Sequence, residues 1–285
     1  NSSTMQEYLE LVRTVLEHGE RRMDRTGVGT HAVFGAHFKI NLADGYPLLT
    51  TKQVNFKAII HELLWFLTGE THLRNLRLHT KIWDAWTNSE KQWELGNTYG
   101  PQWVKWEQYL KNPRTGQYEL HHVNQIQRVI DALKTNPFDR RMVVSAWNPA
   151  DFYRPDGDPK KTVQPSACHT IFMFYVSADR RLSCHLTQRS GDLMLGVPFN
   201  IASYAALTQM LAQETGLGLG VFSHTINDCH IYVNHLDGAR EQVQRQPLPK
   251  PQLRIAAKPF WDLQFEDFEL LNYQHHSPIK FPIAV

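Results

Sequence analysis

CHTIFMFYVSADRRLSCHLTQRSGDLMLGVPFNIASYAALTQMLAQETG, residues 168–216, places strand and helix signals side by side. Thr170–Val176 and Leu182–Gln188 read as strands, and Ile201–Thr215 as a helix that stops at Gly216. Beyond it, Gly216-Leu-Gly-Leu-Gly220 follows a helix and precedes a strand, the reverse of a dinucleotide-binding fingerprint, so it is a helix stop. Val221–Ile226 and the residues from Ile231 onward read as extended. Upstream, Met142–Trp147 is a third strand, and Gln125–Thr135 is a helix ended by Asn136-Pro137. Ala58–Leu67 is apolar almost all round, as a buried helix would be, yet carries His61 and Glu62. His31–Leu42 alternates like a strand, and Met5–His18 repeats Met5, Leu9, Val12 and Leu16 at helical spacing before Gly19. Strands and helices interleave without a repeat or a dividing linker, so the pattern predicts one α+β domain over residues 5–285. Residues 87–125 read as a polar, variable excursion and Tyr153–Gln164 as an exposed loop; Asn1-Ser2-Ser3-Thr4 reads as a cloning remnant.

The 285 residues are 42% hydrophobic and 11% aromatic, which supplies a sizeable core and excludes a disordered chain. Thirty basic residues against 28 acidic ones leave +2, too near balance for a general DNA or membrane-surface binder. Any bound anion must therefore be held by a local arginine cluster. No stretch approaches the ~18 uncharged apolar residues of a membrane span. Three cysteines and no basic-then-apolar leader layout point to a reducing, cytoplasmic setting.

Each cysteine precedes a histidine (Cys168-His169, Cys184-His185, Cys229-His230), which suggests a metal. Neighbouring strand residues point to opposite faces, so such a pair cannot chelate together, and no metal is expected. Cys168 differs from the others: Pro165-Ser166-Ala167 delivers it from a loop to a strand start, where a thiol can meet a substrate and a nearby arginine favours the thiolate. Against that stands the commoner buried structural cysteine. Arginines cluster at Asp139-Arg140-Arg141 and Gln188-Arg189-Ser190-Gly191-Asp192, suited to phosphate oxygens or, more plainly, to salt bridges with the adjacent aspartates. Glu62 in an apolar helix needs a partner or a raised pKa. Trp83 and Trp86 are core aromatics or a stacking surface for a flat ligand.

These pieces, taken together, resemble the thymidylate synthase family along nearly the whole chain. The matching segments include Asp24-Arg25-Thr26-Gly27, Thr50-Thr51-Lys52, His61-Glu-Leu-Leu-Trp-Phe66, Ile82-Trp-Asp84, Arg140-Arg141, Ser145-Ala-Trp-Asn148 and Cys168-His169. The match continues through Gln188–Asp192, Leu195–Tyr204, Asp228–His235 and Pro282-Ile-Ala-Val285. The resemblance implies a mixed β-sheet packed with helices, the sheet forming a homodimer interface, and conversion of dUMP to dTMP with 5,10-methylenetetrahydrofolate. It implies that Cys168 attacks C6 of the uracil, and that Arg25, Arg189, Ser190 and Gly191 hold the nucleotide. Arg140 and Arg141 reach it from the other subunit. Asn200 reads the base edge, and His230 and Tyr232 hold the sugar hydroxyl. Glu62, with His169 and Tyr99, organises proton-shuttling water. Asn55, Ile82, Trp83, Trp86, Asp192, Leu195, Gly196, Phe199 and Ala284 resemble the folate surface, with the C-terminus closing over it. Asp192 thereby borders catalytic, nucleotide and folate positions.

Three departures stand out: Ala167 where proline is usual, about eight extra residues between Asn148 and Cys168 at a place where loop growth is inexpensive, and Met173 for a frequent glutamine. Two other functions share the motifs. One is a pyrimidine-nucleotide hydroxymethylase of the same superfamily, disfavoured by Asn200 and the retained tryptophans. The other is a catalytically silent nucleotide- or RNA-binding relative, disfavoured because Cys168, Glu62, Arg189 and Asn200 are all present.

Overall fold

The computed structural model describes residues 4–152 and 165–284, so the Tyr153–Gln164 loop expected from sequence lies outside the described residues. In chain order the elements are α1 (Gln6–His18), β1 (Glu20–Arg22), β2 (Thr30–Asn41), α2 (Phe56–Thr68), α3 (Tyr99–Val104), β3 (Trp106–Lys111) and β4 (Tyr118–Val123). They continue with α4 (Gln125–Thr135), β5 (Val143–Ser145), α5 (Pro149–Phe152), β6 (His169–Val176), β7 (Arg181–Asp192) and α6 (Gly196–Thr215). The last are β8 (Gly218–Tyr232), α7 (Leu236–Gln244), β9 (Gln252–Ile255) and β10 (Phe268–Leu271).

Six strands form a mixed sheet in the order β1-β2-β8-β7-β6-β5. The pair β7–β8 is parallel and the other pairs are antiparallel. A parallel pair needs a crossover, and α6 supplies it. This helix is buried nearly all round, with Ile201, Ala202, Ala206, Leu207 and Leu211 all fully covered. It packs on the inner sheet face, where Leu182, Cys184, Leu186, Phe222 and Ile226 point inward, and α2 and α4 lie against it. Alternation leaves the opposite sheet face uncovered, with Phe34, Val143, Met173 and Tyr175 exposed.

The structure corrects three boundaries. α6 begins at Gly196, five residues before the predicted Ile201, because Pro198 in the first turn forfeits only an N–H that has no helical partner there. β8 is one strand, not two segments. Its pairing with β2 keeps one register from Thr30↔Tyr232 to Asn41↔Val221, passing Gly35, at φ 76°, without a shift. The predicted 87–125 excursion is external only in part. Tyr99–Val104 is a fully buried helix, while the β3–β4 hairpin after it is exposed.

Asn55 caps α2 by accepting from the Ala58 N–H at 3.0 Å, and Gly69 ends it at φ 71°. α3 packs against the end of α2 so closely that a Cβ on Gly100 would lie 2.3 Å from the Phe66 carbonyl oxygen. Gly100→Ala is therefore expected to destabilise the protein by about 2–3 kcal/mol through overpacking. Urea denaturation checks this; an unchanged midpoint would mean that α2 and α3 separate without cost.

Candidate active site

Cys168 ends the loop before β6, and its presentation rests on two neighbours. Its backbone N–H donates to the Tyr99 hydroxyl at 2.8 Å. The Arg189 guanidinium donates to the carbonyls of Ala167 (2.7 Å) and Ser166 (3.1 Å), and its Nη2 stands 3.8 Å from the Cys168 Sγ. Ala167, the departure from proline, thus carries one of the acceptors that seat Arg189. The Arg189 N–H also donates to the Cys168 carbonyl at 2.8 Å. Arginine, loop and thiol are one braced unit.

The expectation that nearby cations leave Cys168 as a thiolate needs correction. Burial pushes the thiol up from its ordinary value, and the guanidiniums of Arg189 and Arg25 only partly offset it. His169 and Tyr99 brace the same segment. Burial holds His169 down to about 3, so its ring stays neutral. It stacks on Tyr99 at 3.7 Å and bonds through Nδ1 to the Tyr204 hydroxyl at 2.6 Å. The Tyr99 hydroxyl is taken up by the Cys168 backbone. Both rings support the thiol's seat.

Glu62 and His61, the polar pair of α2, face different surroundings. His61 is sandwiched between His79 and Phe265 at 3.9 and 4.0 Å. Burial, with His79 and Lys57 adding to it, lowers its pKa to about 4. Glu62 is half-buried and accepts from the Trp83 indole N–H at 2.8 Å. Burial raises its carboxyl to about 7, with the Trp83 bond opposing. It is the acid–base group in this cluster poised near neutrality.

The parallel register of β7 and β8 aligns Ser190 with Asp228, Gly191 with Cys229 and Asp192 with His230. A Cβ on Gly191 would lie 2.8 Å from Ile226, so this approach requires glycine. His230 bonds to Asp228 at 3.1 Å. The Asp192 carboxylate accepts the N–H groups of Met194 and Leu195, both at 3.3 Å, and so shapes the turn into α6. The Tyr232 hydroxyl is pushed up to about 12 by burial and then by Asp192 and Asp24, with Arg25 opposing and Cys168 adding a little. Arg25, Asp192 and Cys168 thus all act electrostatically on this one hydroxyl. Arg25 itself comes from an exposed loop that Asp24 organises, by accepting from the Thr26 hydroxyl (2.7 Å) and the Gly29 N–H (3.0 Å).

Asn200, on the first turns of α6, accepts from Gln188 Nε2 at 3.0 Å. Leu195, Phe199 and Trp86 are each partly buried against the core, and the Arg25 guanidinium stands 5.8 Å from the Trp86 ring. Trp83 is a core aromatic, edge-on to Trp65 and Tyr99, while Ile82 beside it is exposed. Asn55 commits its side-chain oxygen to capping α2, which leaves only its amide N–H groups for any ligand. Gly196 sits near the Asp192 Cβ without a tight contact. The C-terminal segment is seated by Phe281, 4.6 Å from the Lys52 ammonium, and by His235 Nε2 donating to the Pro282 carbonyl at 2.5 Å; Ala284 is half-buried. Val285 lies outside the described residues.

Arg140 and Arg141 do not join their own chain's cluster. The Phe174 N–H donates to the Met142 carbonyl, and Phe174 is six residues along the chain from Cys168. At about 3.3 Å per residue, that is roughly 20 Å away. Both arginines are exposed, Arg141 bonded only loosely to Asp139 at 3.1 Å. A cavity of about 480 Å³ beside Arg141, between α4 and β5, holds none of the other candidates.

Among the described residues no cluster of three or more His, Cys, Asp or Glu is arranged to hold a metal. Cys184 is buried in the core while His185 bonds Ser223 on the other sheet face at 2.8 Å. Among the described residues no helix is long and apolar enough to cross a membrane. Reading the sequence had assigned no role to Tyr204, Gln188 or His235, although a buried glutamine at an inward strand position was a usable signal.

Because folded Glu62 holds its proton to about 7 and the unfolded chain releases it near 4.5, folding takes up a proton between those values. Stability therefore falls as pH rises through that window. Glu62→Gln, which cannot ionise, is expected to gain about 2 kcal/mol relative to wild type between pH 5 and pH 8. Urea melts across that range check it; a pH-independent difference would return Glu62 to the ordinary carboxylate range.

The sequence model of one family, thymidylate synthase, matches residues 6–285. The chain belongs to the thymidylate synthase family.

Proposed function

We propose that this member of the family carries out the reductive methylation of dUMP to dTMP, with 5,10-methylenetetrahydrofolate as the second substrate. The observation that carries this reading is the braced Cys168–Arg189 unit, with the Arg25 guanidinium also acting on the Cys168 thiol.

In this reading the nucleotide's phosphate lies on Arg25, Arg189 and Ser190, and His230 and Tyr232 hold the sugar hydroxyl. Guanidinium forks match phosphate oxygens in shape as well as charge. Cys168 Sγ bonds to C6 of the uracil, and electron density moves through C5 to O4. Asn200 donates its amide N–H to O4 as charge builds there. Attack needs the thiolate, which burial disfavours in the free site; Arg189 and Arg25 stabilise it as the proton leaves. Glu62, with a pKa about 7, can give or take a proton through water near O4 and C5.

In this reading Trp86, Leu195 and Phe199, each half-buried, would face a flat heteroaromatic ring, with Asp192 as its polar anchor and Ile82 and Ala284 at its margin. Bound there, the folate would supply the one-carbon unit and the hydride. Closure of the C-terminal segment over the site would keep water away, favouring hydride transfer over hydration.

The exposed sheet face with Phe34, Met173 and Tyr175 supports a homodimer through that face. Arg140 and Arg141, remote from their own Cys168, would complete the phosphate site of the partner.

The test mixes protein, dUMP and methylenetetrahydrofolate, follows dihydrofolate by absorbance and weighs the product. Dihydrofolate with a product heavier by one methyl supports the synthase. A hydroxymethyl product without dihydrofolate makes the enzyme a hydroxymethylase, and no product makes it a silent relative. Cys168→Ser is expected to abolish turnover and leave dUMP affinity within about threefold, since a hydroxyl keeps the site's shape but is a far weaker nucleophile. Asn200→Asp is expected to move preference toward dCMP; unchanged uracil selectivity would remove Asn200 as the reader.

A further inference from the structure

Asn200 alone cannot tell uracil from cytosine. An amide turned one way donates to O4 and accepts from N3–H of uracil; turned over, it accepts from the amino group and donates to N3 of cytosine. The two orientations have the same shape. Selection needs something that fixes the amide.

The structure holds such a device behind Asn200. Gln188, 2% exposed on β7, donates from Nε2 to Asn200 Oδ1 at 3.0 Å. Its Oε1 lies 2.8 Å from Nε2 of His224, which is fully buried on β8. An amide oxygen can only accept, so His224 Nε2 carries the hydrogen and Nδ1 is bare. Among the described residues, His224 Nδ1 has no hydrogen-bond partner. The chain therefore runs in one direction, from the His224 N–H to Gln188 to Asn200. It leaves the Asn200 NH₂ group and one oxygen lone pair to the base.

Reversing the chain would turn both amides over and move the hydrogen of His224 to Nδ1. That strands a buried N–H with nothing to accept it, which costs more than a bare lone pair. A stranded buried donor corresponds to about a ten- to hundredfold bias between the two directions. Burial, with His169, His185 and His37 adding to it, lowers His224 to about 3, so a second proton does not disturb the arrangement at ordinary pH.

We infer that His224 is a positioning residue for base selection: as the buried Nε2–H tautomer it orients Gln188, and through it turns the Asn200 amide to accept uracil and refuse cytosine. This rests on the dUMP reading proposed above.

Affinities for dUMP and for dCMP are measured by calorimetry on wild type, His224→Phe and His224→Trp. Phenylalanine keeps a ring but has no N–H, and tryptophan is a neutral ring that can only donate. Wild type is expected to prefer dUMP. His224→Phe is expected to narrow that preference by about tenfold or more, with dUMP weakened and dCMP strengthened. His224→Trp is expected to restore most of it. A folded His224→Phe with wild-type preference, or with both nucleotides weakened equally, overturns the role of His224 while the dUMP reading stands. Wild type without any preference for dUMP overturns both. If His224→Phe does not fold, ¹⁵N spectra of histidine-labelled wild type decide: an Nε2–H signature for His224 supports the inference, and an Nδ1–H signature overturns it.

Discussion

The parallel pairing of β7 with β8 is the contact from which the site is built. It brings Gln188, Arg189, Ser190 and Asp192 on one strand level with Ile226, Asp228 and His230 on the other. Parallel strands must be joined by a crossover, and the crossover here, α6, begins at Gly196 after a three-residue turn from Asp192, which brings Asn200 back toward the strand ends. Glycine at position 191 lets Ile226 and Val197 close in. The β6–β7 pairing then adds Cys168, whose carbonyl accepts from the Arg189 N–H. Backbone pairing thus places Gln188, Ser190, Asp192, Asp228 and His230, while helices carry Glu62, Tyr99 and Asn200 to the same region.

Burial and charge pull in opposite directions at this site, and burial prevails more often. It keeps Cys168 a thiol against two guanidiniums, keeps His169 and His224 neutral, and lifts Glu62 into the range where it can exchange protons. Neutral histidines are useful here because a ring with one N–H makes a directed hydrogen bond. A charged imidazolium would donate from both nitrogens and lose that direction. The same low-dielectric setting that costs the thiol its negative charge would strengthen every hydrogen bond to a bound base.

Much of this was readable from residue order. Alternation identified β2, β6 and β7, apolar periodicity identified α1 and α4, and the glycine stops placed the ends of α1 and α6. Local motifs singled out Cys168, Glu62 and Arg189, because nucleophile, carboxyl and guanidinium are scarce in apolar surroundings and conspicuous there, whereas Asn200 came from the family resemblance alone. Tyr99–Val104 was misread as part of an exterior excursion: its burial depends on Gly100 meeting Phe66, a contact between residues far apart in sequence. Trp83 and Trp86 looked alike in sequence, yet one is core and the other half-buried.

Chain order alone thus determined the α+β class, most elements and the identity of the reactive groups, because periodicity and side-chain chemistry are local properties. Protonation states, the separation of Arg140 and Arg141 from Cys168, and the direction of the His224–Gln188–Asn200 chain were decided only by the tertiary structure. Each depends on which distant groups share a buried space, and desolvation and hydrogen-bond geometry exist only once that space is formed.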